Sequence, residues 1–358
     1  MLTRLSKLGV THLLDALPPR PSANGVIHAV TERVEHSKRR ISGHAWTIVP
    51  YSLAPFSGLP PRGGRPFDSL VHDPVRGWVP IQGIMHRQPS GTKRLVILLH
   101  GIASTPHEPY LWPMTREAFA KGSDVLRLAL RGSLSTGSDH YHAGQTEDLH
   151  ALFTDSRLKR YDEIFLVGYS LGGQIALRFA LQARDQRLRG AVSLCSPISM
   201  SASQIVLDGP EMAAYRYGIL RSLKQKYRRL ARQGEREGKP MAASVKSVDA
   251  VRTFYEWDQT VVCPRYGYQS VEEYYTDVSV APRLGSLSIP ALLIFTQNDP
   301  FVPYAPLAPY LTEVSETTDV RVLAKGGHLG FASDLQLGCG EQTGISAQVH
   351  AWMDTLKN

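Results

Sequence analysis

The sequence predicts an α/β fold in which a mostly parallel sheet carries helices on both faces. Three observations lead there. From about residue 95 onward, short apolar runs alternate with helical segments. The runs are continuously apolar rather than alternating in polarity, as expected of strands buried on both faces. Ser170, Asp299 and His328 each follow closely on such a run, at the carboxyl ends of strands where open α/β sheets place their sites.

The totals set the frame. At 358 residues and 42% hydrophobic content, the chain can bury a full core. Its net charge of +8 comes without a recognisable nucleic-acid module, so nucleic acid is not an expected partner. The three cysteines, Cys195, Cys263 and Cys339, are odd in number and lack metal-ligand spacing. Reduced thiols are expected, with Cys195 a buried small hydrophobe. No run approaches the roughly 20 apolar residues of a membrane helix, and Met1 to Pro19 lacks the continuous apolar centre of a secretory signal. A cytoplasmic location is expected, with membrane association as the alternative.

The elements follow in order. Leu2, Leu5, Leu8, Leu13 and Leu17 recur at near-helical spacing until Pro18-Pro19, which predicts a short amphipathic helix. Docking on the body or over a pocket and contact with a membrane surface both remain open for it. Residues 54–65, rich in Pro and Gly, read as a loop, and Trp78 to His86 as leading strands. Strands are predicted at Leu95–Leu99, Val125–Leu130, Glu163–Val167, Gly190–Leu194, Ala291–Phe295 and Asp319–Leu323. Helices are predicted at Tyr110–Lys121, Thr146–Leu158, Leu171–Arg184 and Ile345–Leu356.

The strand rhythm stops between residues 201 and 285, the span of an inserted helical cap. This divides the chain into a leading segment (1–90), a first core part (91–200), the cap (201–285) and a second core part (286–358). The clearest cap helix has Leu220, Leu223, Tyr227 and Leu230 on one face and Arg221, Lys224, Lys226, Arg228, Arg229 and Arg232 around the other. The basic face is expected to be solvated, the alternative being contact with anionic head groups or an anionic substrate end.

The stretch VGYSLGGQ (Val167 to Gln174) places Ser170 between a strand and a helix, with Gly168 and Gly172 two positions away on either side. A nucleophile on such a turn sits in strained backbone that only small neighbours permit. A serine hydroxyl needs a general base, and the base needs an orienting acid. His328 in AKGGHLGF and Asp299 in TQNDPFVP supply both, in the chain order Ser, Asp, His. Taken alone, Asp299 has an Asx turn before Pro300 as its alternative reading. The oxyanion donors are expected to be the amides of Leu171 and Ile102, the latter in the loop His100-Gly101-Ile102-Ala103-Ser104. His100 is expected to fix that loop.

These segments, with LRGSLSTGSDHYHAGQTEDL (130–149) and YGYQSVEEYYTDVS (266–279), resemble the alpha/beta-hydrolase superfamily. Within it they resemble the branch of YheT-like hydrolases, embryogenesis-associated proteins and abhydrolase-domain lipases. The resemblance spans roughly residues 95 to 331. It implies an eight-stranded, mostly parallel sheet with a helical cap, and a Ser170, Asp299, His328 triad acting on carboxylic esters. It also implies that His142, Glu147 and Asp148 are scaffold residues. Relatives often read Asp-Asp-Pro where this chain has Asn298-Asp299-Pro300, which leaves one acid in the catalytic place.

The expected function is a serine hydrolase of lipid-like or medium-chain acyl esters, needing no metal or cofactor. Its expected partner is a small-molecule ester or lipid. Two alternatives stand beside it: an acyltransferase or cyclising enzyme using the same triad, and a catalytically silent binding protein of the same fold.

Overall fold

The computed structural model describes residues 27–30, 43–53 and 61–356. The predicted helix over Leu2 to Leu17 and most of the predicted loop over 54–65 lie outside them. The chain order is β1 (Ile27–Val30), α1 (Gly43–Leu53), β2 (Arg65–Asp73), β3 (Gly77–His86), β4 (Arg94–Leu99), α2 (Trp112–Ala120), β5 (Asp124–Ala129), α3 (Glu147–Thr154), β6 (Glu163–Tyr169), α4 (Leu171–Gln182) and β7 (Leu188–Leu194). Six helices follow: α5 (Met200–Leu207), α6 (Ala213–Arg236), α7 (Val245–Ala250), α8 (Phe254–Trp257), α9 (Cys263–Tyr266) and α10 (Val271–Val278). The sheet then resumes with β8 (Ala291–Thr296), α11 (Tyr304–Leu311), β9 (Thr318–Leu323) and α12 (Ile345–Thr355).

The strands form one sheet in the order β1-β9-β8-β7-β6-β4-β5-β3-β2. Only β2 and β3 run antiparallel to their neighbours, as a hairpin attached to β5. The parallel strands are buried on both faces because their alternate residues feed two separate cores. Leu95, Ile97 and Leu99 of β4 pack into one core, while Val96 and Leu98 pack into the other. The sheet has nine strands among the described residues, one more than the resemblance implies, because β1 adds a parallel edge beside β9.

The chain leaves β4 to one side to make β5, then returns to the other side to make β6. Crossover direction therefore reverses at β4, and the ends of β4 and β6 lie side by side, with Leu99 opposite Gly168. Such a switch point opens a crevice at the carboxyl end of the sheet. The helices between β7 and β8 cover it. In α6 the buried residues Leu220, Leu223, Tyr227 and Leu230 recur at spacings of three and four and form one apolar face.

Candidate active site

Ser170 stands between the end of β6 and the start of α4 with φ at 53°, a left-handed conformation for a residue with a Cβ. The amide of Ser170 donates to Leu194 O at 2.8 Å, which holds the turn against β7. Gly168 is required by crowding: a Cβ there would lie 2.3 Å from Gly172 O. Strain gathers around this point. Of the five non-glycine residues with positive φ among the described residues, Ala103, Ser170, Cys195 and Leu329 all stand just beyond core strands.

His328 and Asp299 meet the serine from the loops after β9 and β8. Ser170 Oγ lies 2.9 Å from His328 Nε2, and His328 Nδ1 lies 2.9 Å from Asp299 Oδ2 and 3.2 Å from Oδ1. An ionised carboxylate can only accept, so Nδ1 carries the proton and Nε2 is free to accept from the serine hydroxyl. Asp299 also makes the Asx turn, its Oδ1 accepting from the amides of Phe301 at 2.8 Å and Val302 at 3.0 Å. The turn and the histidine contact are not rivals; one carboxylate serves both, and the turn fixes its direction.

The loop after β4 comes close to the serine, so that a Cβ on Gly101 would lie 3.2 Å from Ser170 Cβ. Tyr110 Oη accepts from the Gly101 amide at 2.9 Å and Tyr141 Oη from the Ala103 amide at 2.7 Å. Ile102, between them, lines the cavity above the serine. Leu171 is the first residue of α4, so its amide is one of the helix's unpaired N-terminal donors. His100 is fully buried and held neutral, its pKa lowered by burial to about 3. Nδ1 of its ring donates to Gly101 O at 2.8 Å, and Nε2 accepts from the Leu130 amide at 3.1 Å. His100 thus ties the loop to the end of β5.

A cavity of about 820 Å³ opens above these groups, and Ser170, His328, Ile102 and Leu171 all line it. Its upper wall is mostly apolar and comes from the helices between β7 and β8, including Leu207, Leu223, Phe254, Trp257 and Val262. The wall also holds Asp258, which accepts from Tyr275 Oη at 2.7 Å and whose carboxyl burial pushes up to about 7.

The profile described as "alpha/beta hydrolase fold" matches residues 94–335, more than half of the sequence. The chain belongs to that family. It is 25% identical over 270 residues to the YheT protein of Escherichia coli (strain K12), covering 74% of this chain and 77% of that one. It is 26% identical to a monoacylglycerol lipase of Saccharomyces cerevisiae, covering 68% of this chain but only 56% of the yeast protein. Among solved structures, a 2,6-dihydroxy-pseudo-oxynicotine hydrolase superposes with a TM-score of 0.51 at 16% identity, covering 82% of this chain and 68% of the other. That likeness concerns the fold alone.

Two features of this hydrolase-fold chain were not expected. The first is α1, which leans on the histidine loop: the His328 amide donates to Thr47 Oγ1 at 2.8 Å, and Thr47 Oγ1 donates to Gly43 O at 2.7 Å. The approach is so close that a Cβ on Gly327 would lie 2.3 Å from Gly43 O. The second is the basic face of α6. Arg221, Arg229 and Arg232 are exposed, but Lys224 and Lys226 are half-buried and their ammonium groups donate to backbone carbonyls. Position on the helix explains the difference: Lys224 and Lys226 stand at the two edges of the basic face, next to the buried face of Leu220, Leu223, Tyr227 and Leu230, while Arg221, Arg229 and Arg232 point away from it. His142 is buried among the rings of Tyr266, Tyr268 and Tyr274, and Asp148 is buried against Arg131 at 2.5 Å. Glu147 accepts from Gln145 Nε2 at 2.8 Å. Among the described residues, no helix is long and apolar enough to cross a membrane.

Proposed function

We propose that this chain hydrolyses carboxylic esters with lipid-like or medium-chain acyl groups through an acyl-enzyme on Ser170. One observation carries the proposal: Ser170, His328 and Asp299 form a relay with 2.9 Å at each step, on the floor of a large and mostly apolar cavity. Ser170 Oγ attacks the acyl carbonyl carbon while His328 Nε2 takes its proton. The amides of Ile102 and Leu171 receive the negative charge that develops on the carbonyl oxygen. Collapse of the tetrahedral intermediate expels the alcohol, which takes the proton back from His328. Water, deprotonated by the same nitrogen, then frees the acid and regenerates Ser170.

The apolar wall supports an acyl chain as occupant, since burying each methylene there contributes about 0.8 kcal/mol to binding. The similarity to a protein named monoacylglycerol lipase supports the same substrate class. Ser170→Ala tests the proposal. Hydrolysis of a nitrophenyl ester is expected to fall by about 10⁶-fold, and labelling by a fluorophosphonate probe to disappear. Labelling that survives the substitution would assign the nucleophile elsewhere.

A further inference from the structure

The loop that carries Ile102 has no regular structure, yet the proposed chemistry needs its amide to be fixed. Core residues hold its first half. His100 anchors Gly101 O, the carbonyl of the peptide that carries the Ile102 amide, and Tyr141 anchors the amide of Ala103. The second half is strained, with Ala103 at φ 57°, and is held from the opposite side of the cavity. Lys226 Nζ, on α6, donates to Ala103 O at 2.9 Å and to Ser104 O at 2.7 Å. Ser222 Oγ, one turn earlier on α6, reaches Ala103 O at 3.4 Å.

We propose that Lys226 is a positioning residue whose ammonium clamps the cap helix α6 onto the Ile102 loop and so keeps the Ile102 amide aimed at the reacting carbonyl oxygen. The proposal rests on the acyl-enzyme chemistry given above and adds a second duty for the cap. The helix that walls the acyl cavity also holds one side of the oxyanion hole. Lys226 bridges two successive carbonyls with one cation, which restrains both peptide planes at once. Bonds from a charged donor are roughly twice as strong as those from a neutral one, so the clamp depends on the proton.

That proton is held weakly. Burial lowers the Lys226 ammonium to about 8; Glu108 opposes the shift, and Arg229 on the same helix adds to it. His100, behind the loop, feels the Lys226 charge but is already neutral through burial. Burial pushes the phenol of Tyr141 well above its ordinary value, so it stays protonated throughout. Below pH about 8 the ammonium holds both carbonyls; above it a neutral amine holds them less firmly.

The test compares kcat and KM of the full chain, Lys226→Arg and Lys226→Met for a nitrophenyl ester between about pH 6 and 9.5, where Lys and Arg differ in charge. Absorbance is read at the wavelength where nitrophenol and nitrophenolate coincide. In the unsubstituted chain kcat is expected to fall above pH about 8. Lys226→Arg, which stays charged, is expected to lose that fall. Lys226→Met is expected to lose it too, with neutral-pH kcat about tenfold lower and KM within about twofold; outright removal of an oxyanion donor costs a hundredfold or more. A fall at the original pH in either variant overturns the clamp, as does an unchanged neutral-pH kcat in Lys226→Met. Thermal melting reports whether Lys226→Met folds, and if it does not, the Arg variant decides alone. Fluorophosphonate labelling that depends on Ser170 separates the two proposals: if it holds while the pH profile is unmoved by substitution, only the clamp fails.

Discussion

The floor of the cavity and the junction between cap and core are built on different physics. On the floor, the serine and the carboxylate are each placed by the backbone turn at their own strand end. Ser170 is placed by the turn after β6, and Asp299 by an Asx turn two and three residues long. At the junction, side chains from distant parts of the chain converge. Arg265 of the cap bonds Asp73 at 2.8 Å across 192 positions and Asp139 at 2.6 Å across 126. Arg131 bonds Asp73 at 2.7 Å and Asp139 at 2.9 Å, and also holds Asp148. With Arg76 beside Asp139, three cations face three carboxylates, none with a side chain more than 9% exposed. The turns that carry Ser170 and Asp299 are assembled by local rules and would carry the proposed chemistry. The junction is assembled by tertiary folding and supports the roof under which that chemistry takes place.

Two substitutions sharpen this contrast. Asp299→Asn keeps an oxygen for the Asx turn but removes the charge that orients and stabilises the His328 imidazolium. We expect kcat to fall by about 10⁴-fold, with the urea unfolding midpoint nearly unchanged. Arg265→Met should do the reverse at the junction. It leaves three buried carboxylates facing two arginines, and breaking a buried pair from one side costs about 3–5 kcal/mol. That loss is measurable as a lower urea midpoint with an unaltered slope. If Asp299→Asn destabilised the fold as much as Arg265→Met, the two regions would not be separable in this way.

The same division accounts for what the sequence reveals. Strands such as Leu95–Leu99 and Ala291–Phe295 are legible because burial on both faces leaves continuous apolar runs. The site residues are legible because an α/β sheet places chemistry at strand ends, and a strained serine turn needs small neighbours. The ion cluster is not legible, because nothing in the spacing of Asp73, Arg131, Asp139 and Arg265 records that they meet. Lys226 is hidden for a related reason. On a helix wheel it belongs to a basic face, and only the position of the Ile102 loop turns its ammonium inward. Helix α1 escapes because GHAWTIVPYSL carries Pro50 within it and offers no clear apolar stripe.

Thr47 of α1 is the finest test, because it belongs to neither region by sequence yet touches the floor. Its hydroxyl accepts from the His328 amide and donates to Gly43 O, so it anchors the backbone of His328 rather than the imidazole itself. Thr47→Val keeps the shape and strands the amide without an acceptor, a loss of about 1–3 kcal/mol. If 1 kcal/mol of this reaches the transition state through a displaced imidazole, kcat falls about fivefold. KM should stay near its original value, because valine keeps the shape of the cavity wall and the lost hydroxyl was engaged with the His328 amide and Gly43 O. Steady-state kinetics on a single ester reads both quantities. A rise in KM with kcat intact would assign Thr47, which lines the cavity together with Ile48, to substrate binding rather than to the support of His328.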